Sequence, residues 1–226
     1  MSSDIGKEHP AYLDGVHPSN RIAAIEIARS IISQEGKVRS FENYMIPNRN
    51  SELILIGGPI STLTTREAMG YNKEDIEKEP QTDLRFIFYL NKKELEPVKM
   101  MVKGETLTEP NYYILDRDTS KKYIPRAPEE WLVDDFLLIN VMPNNLTKRK
   151  GKFIVNFAGC HGIGTEASAL VLKNKQILEE IKKKRGKEGR AFQSIIHITA
   201  VKQETNHFKP LKIEHVKTVP IETEIY

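Results

Sequence analysis

The feature that most constrains this chain is an event that happens twice. An apolar run that reads as a strand ends in a glycine-bearing turn, and the turn opens a helix. The two segments are LILIGGPISTLTT at 53–65 and FIVNFAGCHGIGTEASAL at 153–170. Hydrophobicity without a break over such a run suits a strand covered on both faces, the pattern of parallel sheets. Two strand–turn–helix units therefore predict an α/β fold with a mainly parallel central sheet flanked by helices.

The remaining segments fit around that frame. Residues 1–18, with Gly6, Pro10, Gly15 and Pro18 and no period, read as an irregular arm, and 19–226 as a single α/β domain of Rossmann-like type. Ser19 stands where an N-cap belongs, before a helix over Asn20–Ser33. Arg85–Leu90 is a further strand. Tyr112–Leu115 and Lys121–Ile124 flank a polar turn and predict a hairpin, an antiparallel extension of the sheet. One helix is expected from about Thr165 to Lys184, and Ser194–Val201 with Leu211–Val219 as a final antiparallel pair. Lys148–Lys150 and Lys182–Arg190 read as solvated basic loops.

Composition narrows the function classes. The chain has 226 residues and a net charge of +3 from 34 basic and 31 acidic residues, too balanced to argue for nucleic acid, which is not expected as a direct ligand. No apolar run approaches the ~18 residues of a membrane span. The first residues carry no secretory h-region, so a cytoplasmic location is expected. A single cysteine, Cys160, excludes an internal disulfide framework. The six histidines have no helical metal spacing, and Asp116, Asp118, Asp134 and Asp135 sit where turns use Asp, so no metal and no cofactor beyond a nucleotide-like ligand is expected.

The chemistry concentrates in the two turns. In open α/β sheets ligands bind beyond the carboxyl ends of the strands. Glycines there let backbone approach a ligand, and amides at a helix start favour an anion. The predicted ligand contacts are Gly57, Gly58, Pro59, Ser61, Thr62 and Arg66 at the first turn, and Gly159, Gly162, Gly164 and Thr165 at the second. Gly159-x-x-Gly162-x-Gly164 is neither the dinucleotide fingerprint nor a phosphate loop with its lysine. Cys160, between Ala158 and Gly162, has the spacing of a nucleophile elbow, with a thiol pKa lowered by the helix start and His161 beside it. The alternatives are tight structural turns and a small buried cysteine.

The stretch AGCHG at 158–162 resembles the cysteine elbow of PfpI-like and glutamine-amidotransferase-like hydrolases. A second resemblance spans more of the chain. Gly57-Gly58-Pro59 with Ser61, followed by Ala158 to Gly162, Gly164 and Thr165, is similar to a set of prokaryotic Rossmann-like domains that pair a GGP turn with an AGCHGxGT turn. Ser61 departs from the Asn usual there. This resemblance implies an α/β domain with both turns facing one cleft, sensing a nucleotide-like or other small ligand, sometimes within a larger regulatory protein. Binding or sensing of a small anionic ligand is thus favoured over catalysis, with a homo-oligomer or partner protein allowed. The alternatives are a cysteine-dependent hydrolase or transferase using Cys160 and His161, and a structural subunit of a larger assembly.

Overall fold

The computed structural model describes residues 23, 50, 52–90, 94–102, 105–186, 190–199, 202–204 and 207–222. The expected arm at 1–18 lies outside them, as does the helix expected over 20–33 except Ala23, which is helical and buried. The first half of the described chain holds β1 (Leu53–Ile56), α1 (Leu63–Ala68), β2 (Phe86–Tyr89), β3 (Val98–Val102), β4 (Glu105–Glu109), β5 (Tyr113–Asp116) and β6 (Lys121–Tyr123). The second half holds β7 (Asp135–Pro143), β8 (Phe153–Gly159), α2 (Gly162–Glu166), α3 (Ser168–Lys173), α4 (Lys175–Lys184) and β9 (Phe192–Thr199). The short pair β10 (Lys202–Glu204) and β11 (His207–Lys209) precedes the last strand, β12 (Lys212–Pro220).

The main sheet has the order β1–β8–β7–β9–β12. Among the described residues β1 and β8 are its parallel pair. β8 with β7, β7 with β9, and β9 with β12 are all antiparallel. The expected mainly parallel, helix-flanked Rossmann-like sheet is therefore wrong: strand outweighs helix, and the sheet is mixed and mostly antiparallel. The cause is the short basic connector between β7 and β8. A parallel crossover needs a dozen or more residues, whereas this turn closes with the Asn144 N–H donating to the Lys152 carbonyl at 2.8 Å. β7 and β8 thus fold back as a hairpin. The helices between β8 and β9 do return the chain parallel, but β7 is inserted between the two strands.

Both faces of this antiparallel sheet are nevertheless covered. On one face Leu138, Met142, Ile154, Ala158 and Ile195 pack against Phe86, Phe88, Ile114 and Tyr123 of the β2–β5–β6 sheet, with Ala68 and Met69 at the end of α1. On the other, Leu137, Ile139, Phe157 and Ile196 meet Ile163, Val171, Ile177 and Ile181 of the helices, and Val98, Met100 and Leu107 of the β3–β4 pair. This double cover explains why DFLLINVMP is apolar almost throughout while its strand is antiparallel on both sides. β1 departs from the both-faces expectation: its burial alternates, and Ile54 is 37% exposed. The β5–β6 hairpin and the β9–β12 pair form, but the hairpin belongs to the separate β2–β5–β6 sheet and does not extend the main one.

The helix expected from Thr165 to Lys184 is three pieces. At Asn174 the backbone is extended (φ −96°, ψ 96°) and the side chain accepts the Ile177 N–H, so Asn174 stops one helix and caps the next. α4 then buries Ile177 and Ile181, four residues apart on one face.

A chain of buried amides crosses the first face. Gln193 on β9 pairs with both backbone groups of Phe86 and donates to Asn140 on β7 at 2.8 Å. Asn140 donates to Asn156 on β8 at 3.1 Å, and Asn156 donates to the Leu55 and Gly57 carbonyls at 3.3 Å each. Buried amides are tolerated where their hydrogen bonds are made, and this ladder makes them while tying the β1 corner to the second sheet.

Candidate functional site

β1 and β8 run in register from Leu53 opposite Ile154 to Ile56 opposite Phe157. Their turns therefore leave the same sheet edge side by side. The Gly57 N–H donates to the Phe157 carbonyl at 2.9 Å, and a Cβ on Gly58 would lie 3.6 Å from the Gly159 carbonyl oxygen. The adjacency expected of the two corners is present, at the carboxyl end of a parallel pair.

The second corner is already filled by an anion of the protein's own. Asp135 begins β7 two residues beyond Leu137, which faces Gly159. Its carboxylate accepts the His161 N–H at 3.1 Å, the Gly164 N–H at 2.6 Å and the Phe136 N–H at 2.7 Å. The Thr165 hydroxyl accepts the Gly159 N–H at 2.9 Å. Burial pushes the Asp135 carboxyl up to about 6, against the pull of the N–H bonds it accepts. The donors assigned from sequence to an external phosphate are thus engaged internally. Gly159 and Gly164 are glycines for close approach of backbone to backbone: a Cβ on Gly159 would stand 2.3 Å from the His161 carbonyl oxygen, and one on Gly164 2.7 Å from that of Phe136. Gly162 opens α2.

The first corner is held by the opposite charge. Gly57 takes a positive φ of 107°, the left-handed region that favours glycine. The Ser61 and Thr62 hydroxyls donate to the Gly58 and Ile56 carbonyls, each at 3.3 Å. Arg66 folds back and donates to the carbonyls of Pro59 at 2.9 Å, Ile60 at 3.3 Å and Lys73 at 3.1 Å. It is 7% exposed, and burial lowers its pKa.

Cys160 lies within the second corner, directly after Gly159, with its thiol in the apolar layer of the β2–β5–β6 face. Burial first, and the Asp135 charge second, push the thiol well above its ordinary value. The elbow reading expected the reverse, but Asp135 offsets the positive end of α2. Tyr71 is close by, its hydroxyl donating to the Phe88 carbonyl at 2.6 Å and its pKa raised by burial.

His161 points elsewhere. Its Nε2 lies 3.1 Å from Asn111 Oδ1, and Asn111 Nδ2 donates to the Pro125 carbonyl at 3.4 Å. That second bond orients the amide, so Nε2 carries the proton. Nδ1 is buried without a hydrogen-bond partner, 3.8 Å from a Glu109 carboxylate oxygen. The Tyr112 ring stands 6.0 Å from the imidazole. Thr65 Oγ1, on α1 beyond the first corner, is buried without a partner as well. Glu109, Asn111 and Thr65 were not singled out in the sequence. The contacts that reveal Asn111 and the role of Asp135 span 50, 26 and 29 residues, and no local pattern marks them.

The other charged residues separate. Asp116 is held by Arg85 and Lys217, which keep its carboxyl well below the usual range although burial alone would raise it. Asp134 faces Arg126 and His197. His215, on the strand beside His197, turns to Thr218 and Glu180. Among the described residues no group of three or more His, Cys, Asp or Glu is placed to hold a metal ion. No helix among them is long and apolar enough to cross a membrane.

The class these observations define is an α+β domain with a mixed central sheet, covered by helices on one face and by a second sheet on the other. No protein-family model matches the chain, and no significant match was found among curated proteins or solved structures.

Proposed function

We propose that this chain is a small-ligand-binding domain with a sensing or regulatory role, its ligand seated at the joint carboxyl end of β1 and β8. The observation that carries the proposal is the two glycine corners lying together at the carboxyl end of β1 and β8. The buried, unpartnered Nδ1 of His161, whose side chain turns from the second corner toward Asn111 and Glu109, supports it. An unsatisfied buried polar group costs roughly 1–3 kcal/mol, and a ligand that donates to it offsets that cost. A nucleotide-like or other anionic metabolite is the first class to test. With Asp135 holding the α2 amides, its polar edges rather than a phosphate would meet the second corner.

A thermal-shift screen of nucleotides and phosphorylated metabolites tests this. Ligand at a hundred times its Kd stabilises by about 2.7 kcal/mol, a clear rise in Tm. A compound that stabilises the wild type but neither His161→Gln nor Gly58→Val supports the site. A panel without effect, or a shift that both variants retain, rejects it. The cysteine-dependent alternative draws no support from a thiol that is buried and pushed upward.

A further inference from the structure

The main sheet ends in two edge strands, β1 and β12, and they are guarded differently. β12 carries devices that keep an edge from pairing with another chain: a bulge between His215 and Lys217, lysines at 212 and 217, and Pro220 at its end. β1 is Leu-Ile-Leu-Ile, in unbroken register with β8, and has no charge, proline or bulge.

β1 also leaves backbone groups open. Along a parallel ladder, alternate residues turn both N–H and C=O to the neighbouring strand. The Gly57 N–H bonds the Phe157 carbonyl, so Leu53 and Leu55 face β8 and Ile54 and Ile56 face away from it. The Ile56 carbonyl fits this parity, since it accepts the Thr62 hydroxyl from outside the sheet. Among the described residues nothing bonds the Ile54 N–H, the Ile54 carbonyl or the Ile56 N–H. The Ile54 side chain beside them is 37% exposed. Open donors and acceptors on an extended, apolar edge are a template for one more strand.

We propose that two copies of this chain join antiparallel through their β1 edges, across a twofold axis at Ile54. That register fits β1 to itself. The two Ile54 residues exchange both N–H and C=O groups, and each Ile56 N–H meets the Glu52 carbonyl of the partner subunit. Glu52 then lies opposite Ile56 rather than another Glu52, so no like charges face one another. The Ile54 side chains cover each other at the axis, and the two main sheets become one. Such a contact uses the same patch on both copies and closes on itself. The guarded β12 edges then stop growth at two. A strand as short as β1 makes a small interface, so the dimer is reversible and depends on concentration.

Sedimentation equilibrium of the full chain, from micromolar to millimolar concentration, tests this. The mass should rise from one copy to two and no further. Ile54→Pro removes an N–H that the chain does not use, a change that edge strands tolerate. Ile54→Lys places a charge at the axis. Each should weaken dimerisation at least about tenfold, while Leu211→Lys, at an exposed leucine just before β12, should leave it unchanged. Hydrogen exchange reads the wild type directly: the Ile54 amide should gain protection as concentration rises. A monomer at every concentration overturns the proposal, as does an Ile54 amide whose exchange ignores concentration. So does a dimer that both Ile54 variants retain, one that Leu211→Lys abolishes, or growth beyond two copies.

Discussion

The two glycine corners stand side by side and are held by opposite charges. At the first, one buried cation, Arg66, gathers the carbonyls of Pro59, Ile60 and Lys73. At the second, one buried anion, Asp135, gathers the N–H groups of Phe136, His161 and Gly164. A sharp turn beside a sheet buries backbone groups that strand pairing cannot reach, and each must find a partner. Here a long-range side chain supplies it in one corner and a neighbouring helical one in the other. The lesson is that a glycine-rich turn signals crowded, polar backbone, and that its partner can be internal as readily as a ligand.

The corners also differ in how tightly their glycines are packed, and that difference should give the largest effect. Gly159→Ala and Gly164→Ala push a methyl into backbone closer than 3 Å. Each is expected to cost roughly 3 kcal/mol or more, or to prevent folding. Gly58→Ala, whose methyl would meet only an ordinary contact at 3.6 Å, should change stability by about 1 kcal/mol or less. Urea denaturation of the three variants measures this, and similar losses would erase the distinction between the corners.

Removing each ion tests the plugs themselves. Arg66→Met leaves three carbonyls without their charged donor and should cost about 2–3 kcal/mol. Asp135→Asn sets an amide N–H₂ against two N–H groups and should cost about 2 kcal/mol near neutral pH. It should also leave a signature in pH. The folded pKa of Asp135, about 6, lies above its ordinary 3.8, so the contribution of this group to stability is full below about 3.8 and is lost as pH rises through 6. Asp116 has the opposite sign: its lowered pKa contributes fully above its ordinary 3.8 and is lost as pH falls through the folded value. Thermal melts across pH should show the Asp135 slope vanish in Asp135→Asn while the acid-side loss remains. An unchanged slope would mean that another group carries it.

The smallest effect concerns the cysteine inside the second corner. Native Cys160 should resist iodoacetamide at pH 8 and react fully once unfolded, because the thiolate is disfavoured by burial and by Asp135. Rapid labelling of the native chain would show that the anion does not control this corner, and would restore the nucleophile reading.

Much of the secondary structure was legible in the sequence. The strands around Ile87, Ile114, Ile139 and Val155, the β5–β6 hairpin and the closing β9–β12 pair follow from apolar runs bounded by turn residues. The helix after the second corner was legible as to place but not as to its break, since Asn174 reads as an ordinary helix residue until it caps its neighbour. The direction of the sheet was misread because continuous hydrophobicity reports cover on two faces, not strand direction. β7 is covered on one face by helices and on the other by a second sheet, and it is antiparallel to both neighbours. Of the site, the positions and adjacency of the two glycine turns were visible, while the engagement of their donors was not. Asp135 looked like turn chemistry, and Asn111 and Glu109 gave no local sign.

What the residue order determined by itself is local: where strands and turns fall, that both corners need glycine, and that one thiol lies within the second of them. Those follow from backbone sterics and from the period of apolar residues, which act over a few positions. Strand order and direction, and the pairing of Asp135 with the second corner and of the amide ladder with the first, belong to tertiary structure alone. They depend on contacts between residues distant along the chain, and which of those form is decided by how the covering layers close over the sheet and leave each buried polar group with a partner.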